Sequence, residues 1–190
     1  QVLILGRGTA NQLTTSREAV ANWLKTGGRL LAVGLDQDEV RASFPFQITM
    51  KKAEHIATYF DPPAMGSLLA GLSPADVHNR DPREFPLVSS GAQVFGDGVL
   101  AVATNANVVF CQLEPWQFAG PKQANLRRSH RRAAFLLTRL LGNLGVAGET
   151  PLLERFSRPV SVPQSEKRWL TGFYLDQPEE WDDPYRFFRW

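Results

Sequence analysis

An amphipathic, helix-length stretch that ends in Gly27-Gly28 and runs straight into the apolar Arg29-Leu30-Leu31-Ala32-Val33 leaves this chain few architectures. Thr15 and Glu18 stand at capping-box spacing, which predicts a helix start there, since each side chain can satisfy an orphan donor of the first turn. Ala19, Val20, Trp23 and Leu24 recur at helical spacing as one apolar stripe. Gly27 is placed for the left-handed turn that closes a helix. The run 29–33 is short, apolar and bounded by glycine, as a strand covered on both faces requires. Upstream, Val2-Leu3-Ile4-Leu5 before Gly6-Arg7-Gly8 predicts another such strand with a glycine turn. Strand, loop, helix, Gly-Gly, strand is a βαβ unit with an expected right-handed crossover. The fold class expected is α/β.

The residues VLILGRGT…REAVANWLKTGGRLLAVG resemble the class I glutamine-amidotransferase-like fold, a flavodoxin-like three-layer sandwich. Within it, they look most like the accessory, or trimerisation, domain of β-galactosidases and related glycoside hydrolases. The resemblance spans roughly the first 120 residues, with a gap in the middle, and is carried by hydrophobic pattern and glycines. In the active amidotransferases of this fold a nucleophilic cysteine occupies the tight turn after the strand that follows the Gly-Gly. Here that turn is Val33-Gly34-Leu35-Asp36, and neither Gly34 nor Leu35 supplies a nucleophile. What the resemblance implies is therefore the scaffold without the catalytic centre. Such a domain would be a non-catalytic part of a larger carbohydrate-active enzyme, serving interdomain packing or subunit assembly.

The resemblance also implies an earlier strand and helix, yet this sequence has no initiator Met and enters a strand almost at once. The expectation is a piece of a longer polypeptide, with residues 1–148 as the amidotransferase-like domain lacking its first strand and helix. Residues 149–190 are expected to be a C-terminal docking extension. Val2 to Leu5 is too apolar for an open sheet edge, so neighbours on both sides are expected, partly from outside the chain. Localisation stays open, a periplasmic or secreted parent enzyme being what the resemblance implies. The expected partners are other domains of the same polypeptide or subunits of a homo-oligomer, with carbohydrate as the alternative. No cofactor, nucleic acid or membrane partner is expected.

Composition agrees with an ordinary globular protein. At 43% hydrophobic and 21% charged residues the chain can bury a core, and a net charge of +2 points to no globally electrostatic partner. A single cysteine excludes an internal disulfide. No apolar run approaches the ~20 residues of a membrane-spanning helix.

Further along, Gln37 to Arg41 predicts a short acidic helix, and Tyr59-Phe60-Asp61-Pro62-Pro63 a break. The densest polar cluster is Ser73 to Pro82. Asp76, His78, Arg80 and Asp81 have the chemistry of a sugar-binding or acid–base surface. The same residues also suit a loop held by Asp–Arg pairs and Asx turns, the reading preferred on spacing alone. As a zinc site the cluster is poor, with one His and no nearby Cys. Ala92 to Phe95, Val99 to Ala103 and Val108 to Leu113 read as three closely spaced strands with Gly96-Asp97-Gly98 as a turn. Cys111, inside the last of them, reads as buried and inert. Trp116 falls at the carboxyl edge of the expected sheet, where ligands bind in open α/β folds, either stacking on a sugar or capping the core.

A long helix is expected from Lys122 to about Leu141. Its stripe is Leu126, Ala133, Leu137, Leu140 and Leu144, widened by Leu136 and Leu141. Arg127, Arg128, Arg131, Arg132 and Arg139 are expected to form a solvated face or to pair with acidic groups of another domain. The aromatic residues of 181–190 argue for a docked tail, with a carbohydrate platform as the sharper alternative. Three functions are thus open: an accessory domain, a carbohydrate-binding module using Trp116 and the C-terminal aromatics, or a hydrolase using Asp76, His78 and Asp81.

Overall fold

Val2–Gly6 (β1) and Arg29–Val33 (β2) lie side by side as parallel strands in the computed structural model, in register from Val2 opposite Arg29 to Gly6 opposite Val33. The structure describes residues 1–79, 81–103, 107–118 and 124–146, the side chains of residues 10, 11, 14, 124 and 125 excepted. Arg80, residues 104–106, the start of the long helix at 122 and the extension 149–190 with its aromatic tail lie outside the described residues.

Between β1 and β2 come a one-turn helix α1 (Ala10–Leu13) and α2 (Arg17–Lys25). The start of α2 differs from the sequence expectation. Residues Thr14–Ser16 form a tight 3-10 turn, the N-cap position is Ser16, and no side chain caps it. The reason is conformational. Ser16 stands at φ −111°, ψ 10°, so the chain enters α2 already turned and not from the extended backbone that a capping side chain needs. The far end is as expected: Gly27 N–H donates to Leu24 O and Gly28 N–H to Trp23 O, the paired closure that a left-handed Gly27 at φ 94° permits.

After β2 come α3 (Gln37–Ser43), β3 (Thr49–His55), β4 (Arg83–Ser90), β5 (Gln93–Phe95), β6 (Leu100–Ala103), β7 (Val108–Cys111) and α4 (Ala124–Asn143). The capping box absent from α2 is present at α3, where Asp36 accepts from the backbone of Asp38 and Glu39 and Glu39 reaches back to Asp36 N–H.

The fold is mixed α/β. One sheet has five strands in the order β1-β2-β7-β6-β5, parallel from β1 to β7 and antiparallel beyond. β3 and β4 form a separate antiparallel ribbon. Alternation along β2 and β7 divides the core. Leu31, Val33, Val109 and Cys111 face α4 through Ala133, Leu136, Leu140 and Leu144. Leu30, Ala32, Val108 and Phe110 face α2 and α3 through Val20, Leu24, Val40 and Phe44. Both faces of β2 and β7 are covered, which is why those two strands read as continuous apolar runs. Among the described residues β1 has one strand neighbour, and Ile4 on it is 53% exposed.

The arginines of α4 correct an expectation: Arg132 and Arg139 are buried, whereas Arg127 and Arg131 are exposed. A 20-residue helix with an apolar stripe widened by Leu136 and Leu141 presents too little polar face to leave all five in solvent.

Candidate functional site

The carboxyl ends of the three parallel strands converge on one carboxylate. β1 delivers Arg7, β2 delivers Gly34, and β7 runs on to Glu114, whose side chain is buried at 2% exposure. A short apolar strand followed by Glu114-Pro115 turns the chain at this edge, and Pro115–Phe118 forms a tight 3-10 turn. That turn brings two donors back onto the acid. Trp116 Nε1–H donates to Glu114 Oε2 at 2.6 Å, and Gln117 Nε2 donates to Oε1. Arg7 faces Oε1 from the other side at 3.6 Å, while its Nε–H donates to Gly34 O at 3.2 Å. Burial raises the Glu114 carboxyl above its ordinary range, and Arg7 and the Trp116 bond oppose that rise.

Gly34 sits at φ 66°, the left-handed region. A Cβ placed on it would fall within contact of the Glu114 carboxyl group. The space above Gly34 is therefore filled by a buried acid from the segment that follows β7. Nearby, Glu39 accepts from Gly8 N–H at 2.5 Å and from Asp36 N–H at 3.0 Å, tying the turn after β1 to the start of α3.

The polar cluster at 73–82 lies in a loop between β3 and β4. Asp76 is buried, and its Oδ2 accepts from both the backbone and the hydroxyl of Ser73, closing a capping box on the turn Pro74–Val77. His78 Nδ1 lies 3.2 Å from Arg132 Nη1 of α4. Asp81 pairs with Arg83. The organising residue is Asn79, which sequence reasoning did not single out. Its side chain bonds both backbone groups of Asp81, and Ser129 Oγ–H donates to it at 3.2 Å. These are the bonds of an Asx-type turn fastened to α4. Arg83 also donates to Gln117 O at 3.1 Å and stacks over Phe118, so it connects this loop to the turn carrying Trp116.

Of the candidate residues, Asp76, His78 and Asp81 therefore share a loop, each engaged by a neighbour, and Trp116 stands at the sheet edge. Its ring is 55% exposed. Arg80 lies outside the described residues. Glu114 and Arg7 were missed, although a carboxylate directly after an apolar strand at the expected ligand edge was the available signal. Cys111 is fully buried and its thiol is pushed up to about 12 by desolvation, so it is inert as a nucleophile. Among the described residues no group of three His, Cys, Asp or Glu side chains could hold a metal ion, and no helix is long and apolar enough to cross a membrane.

No family model, curated protein or solved structure matches the chain.

Proposed function

We propose that this chain is an amidotransferase-like, flavodoxin-like three-layer module without its nucleophile, acting as a non-catalytic accessory domain of a multidomain glycoside hydrolase in interdomain packing or subunit assembly. The observation that carries this reading is the Glu114 carboxyl packed against Gly34. A left-handed glycine at the turn after β2, with the space above it filled from β7, leaves no room for an attacking group. Support for a packing role comes from β1, an uncharged apolar strand with one neighbour among the described residues, of the kind that invites pairing from outside the chain. A second reading, a carbohydrate-binding module, is favoured by one specific observation, the half-exposed Trp116 held by Glu114.

The test is turnover by the 190-residue chain on glutamine and on aryl glycosides. The expected result is none. Sustained hydrolysis abolished by His78→Ala or Asp81→Ala would overturn the reading and promote a hydrolase centred on that loop.

A further inference from the structure

Two half-exposed side chains of different chemistry, Trp116 and Arg7, are held by one buried acid at the carboxyl edge of the parallel strands. Trp116 is pinned at its Nε1–H by Glu114 Oε2, and Arg7 faces Oε1 of the same group while its Nε–H holds Gly34 O. An exposed indole ordinarily samples several rotamers, and ordering it on binding costs free energy. Here the bond to a buried carboxyl group has met that cost in advance. The result is a fixed aromatic face with a half-exposed guanidinium beside it.

We propose that this edge is a subsite for a neutral pyranose, whose apolar face stacks on Trp116 while its hydroxyls meet Arg7 and Glu39; this rests on the carbohydrate-active reading above. Charge bears on the ligand. Among the described residues, Glu39 and Asp36 lie beside the Arg7–Glu114 pair, so an anionic sugar meets carboxylates at this part of the rim. A neutral polyol can accept from the guanidinium and donate to the carboxylate of Glu39. Glu114 touches no ligand in this arrangement. It is a positioning residue, acting through the ring it holds.

The experiment uses the ¹⁵N-labelled 190-residue chain, whose Trp116 indole resonance is assigned from Trp116→Phe. It is titrated with cello-, xylo- and galacto-oligosaccharides, with oligogalacturonate as the charged control. At least one neutral probe is expected to shift the Trp116 Nε1–H signal saturably, with a Kd of about 0.1–1 mM, and oligogalacturonate to bind more weakly. Trp116→Ala is expected to weaken binding roughly tenfold or more in a chain that still melts cooperatively, at a somewhat lower temperature because the buried Glu114 loses a donor. Glu114→Gln is expected to move the indole signal and weaken binding severalfold in a chain that still melts cooperatively. No perturbation of Trp116 by any neutral probe up to about 10 mM would overturn the subsite. So would unchanged affinity in Trp116→Ala, or tighter binding of the charged control. Unchanged affinity in Glu114→Gln would overturn the positioning role. Hydrolysis of the bound oligosaccharide would defeat the non-catalytic reading and leave the subsite standing.

Discussion

At Gly34 two penalties coincide. A left-handed backbone costs an L-residue about 1–2 kcal/mol, and any side chain must also displace a buried, hydrogen-bonded carboxyl group. Gly34→Ser is therefore expected to destabilise the chain by about 2–3 kcal/mol, lowering the melting temperature by roughly 5–10 °C, and to confer no turnover. Thermal melts and a glycosidase assay check both halves. This locus shows how far single residues can be read. That neither Gly34 nor Leu35 carries a nucleophilic side chain was visible in the sequence, because reading a residue type needs no geometry. The acid that fills the space was not, because Glu114 lies 80 positions away and reaches Gly34 only through the pairing of β2 with β7. The Asp76 to Asp81 loop was legible for the opposite reason. Ser73 and Asp76 are three apart, and Asn79 and Asp81 two apart, so their bonds are local.

Among the elements, those with periodic patterns could be read directly. The strands β1 and β2, the three strands β5 to β7, and the stripe of α4 all fall close to where apolar runs bounded by turn residues, or helical spacing, put them. The β3–β4 ribbon could not be read, since Lys51, Lys52, Glu54 and Pro86 break any apolar pattern and its pairing is long-range. Those same lysines protect β3, whereas β1 carries no charge at its edge. Ile4→Lys should accordingly cost less than about 1 kcal/mol and reduce self-association of the isolated chain, measured by light scattering against concentration. Unchanged association would show that β1 is not the adhesive edge. His55 closes the ribbon, its Nε2 2.7 Å from Val77 O, and burial holds its pKa below 6.5, opposed by the Val77 bond and by Asp97. The unfolded chain then binds the proton more readily than the folded one, so stability is present above about pH 6.5 and falls as pH drops below it. Melting temperature should fall as pH drops below about 6.5, and His55→Gln should flatten that slope. Glu114 acts with the opposite sign. Its carboxyl is raised from 4.5, so the stability it contributes is complete below that value and is lost as pH rises through its folded pKa.

For the whole molecule, the two core clusters on either side of the sheet make the loops at its carboxyl edge a shared rim, and Arg83 ties the Asp81 loop to the Trp116 turn across that rim. Substitutions there should couple. Gly34→Ser and Glu114→Ala, each destabilising alone, should be less than additive together by about 1–2 kcal/mol, because removing the acid vacates the space that the serine needs. A double-mutant cycle from denaturant melts measures this directly, and strict additivity would count against the packing of Glu114 on Gly34. The consequence concerns what this turn can acquire. Placing a side chain at position 34 takes more than one change, since the first in either order lowers stability. The seated acid works as a latch on the turn, and leaves the exposed side chains around it as the part of the rim free to change partners.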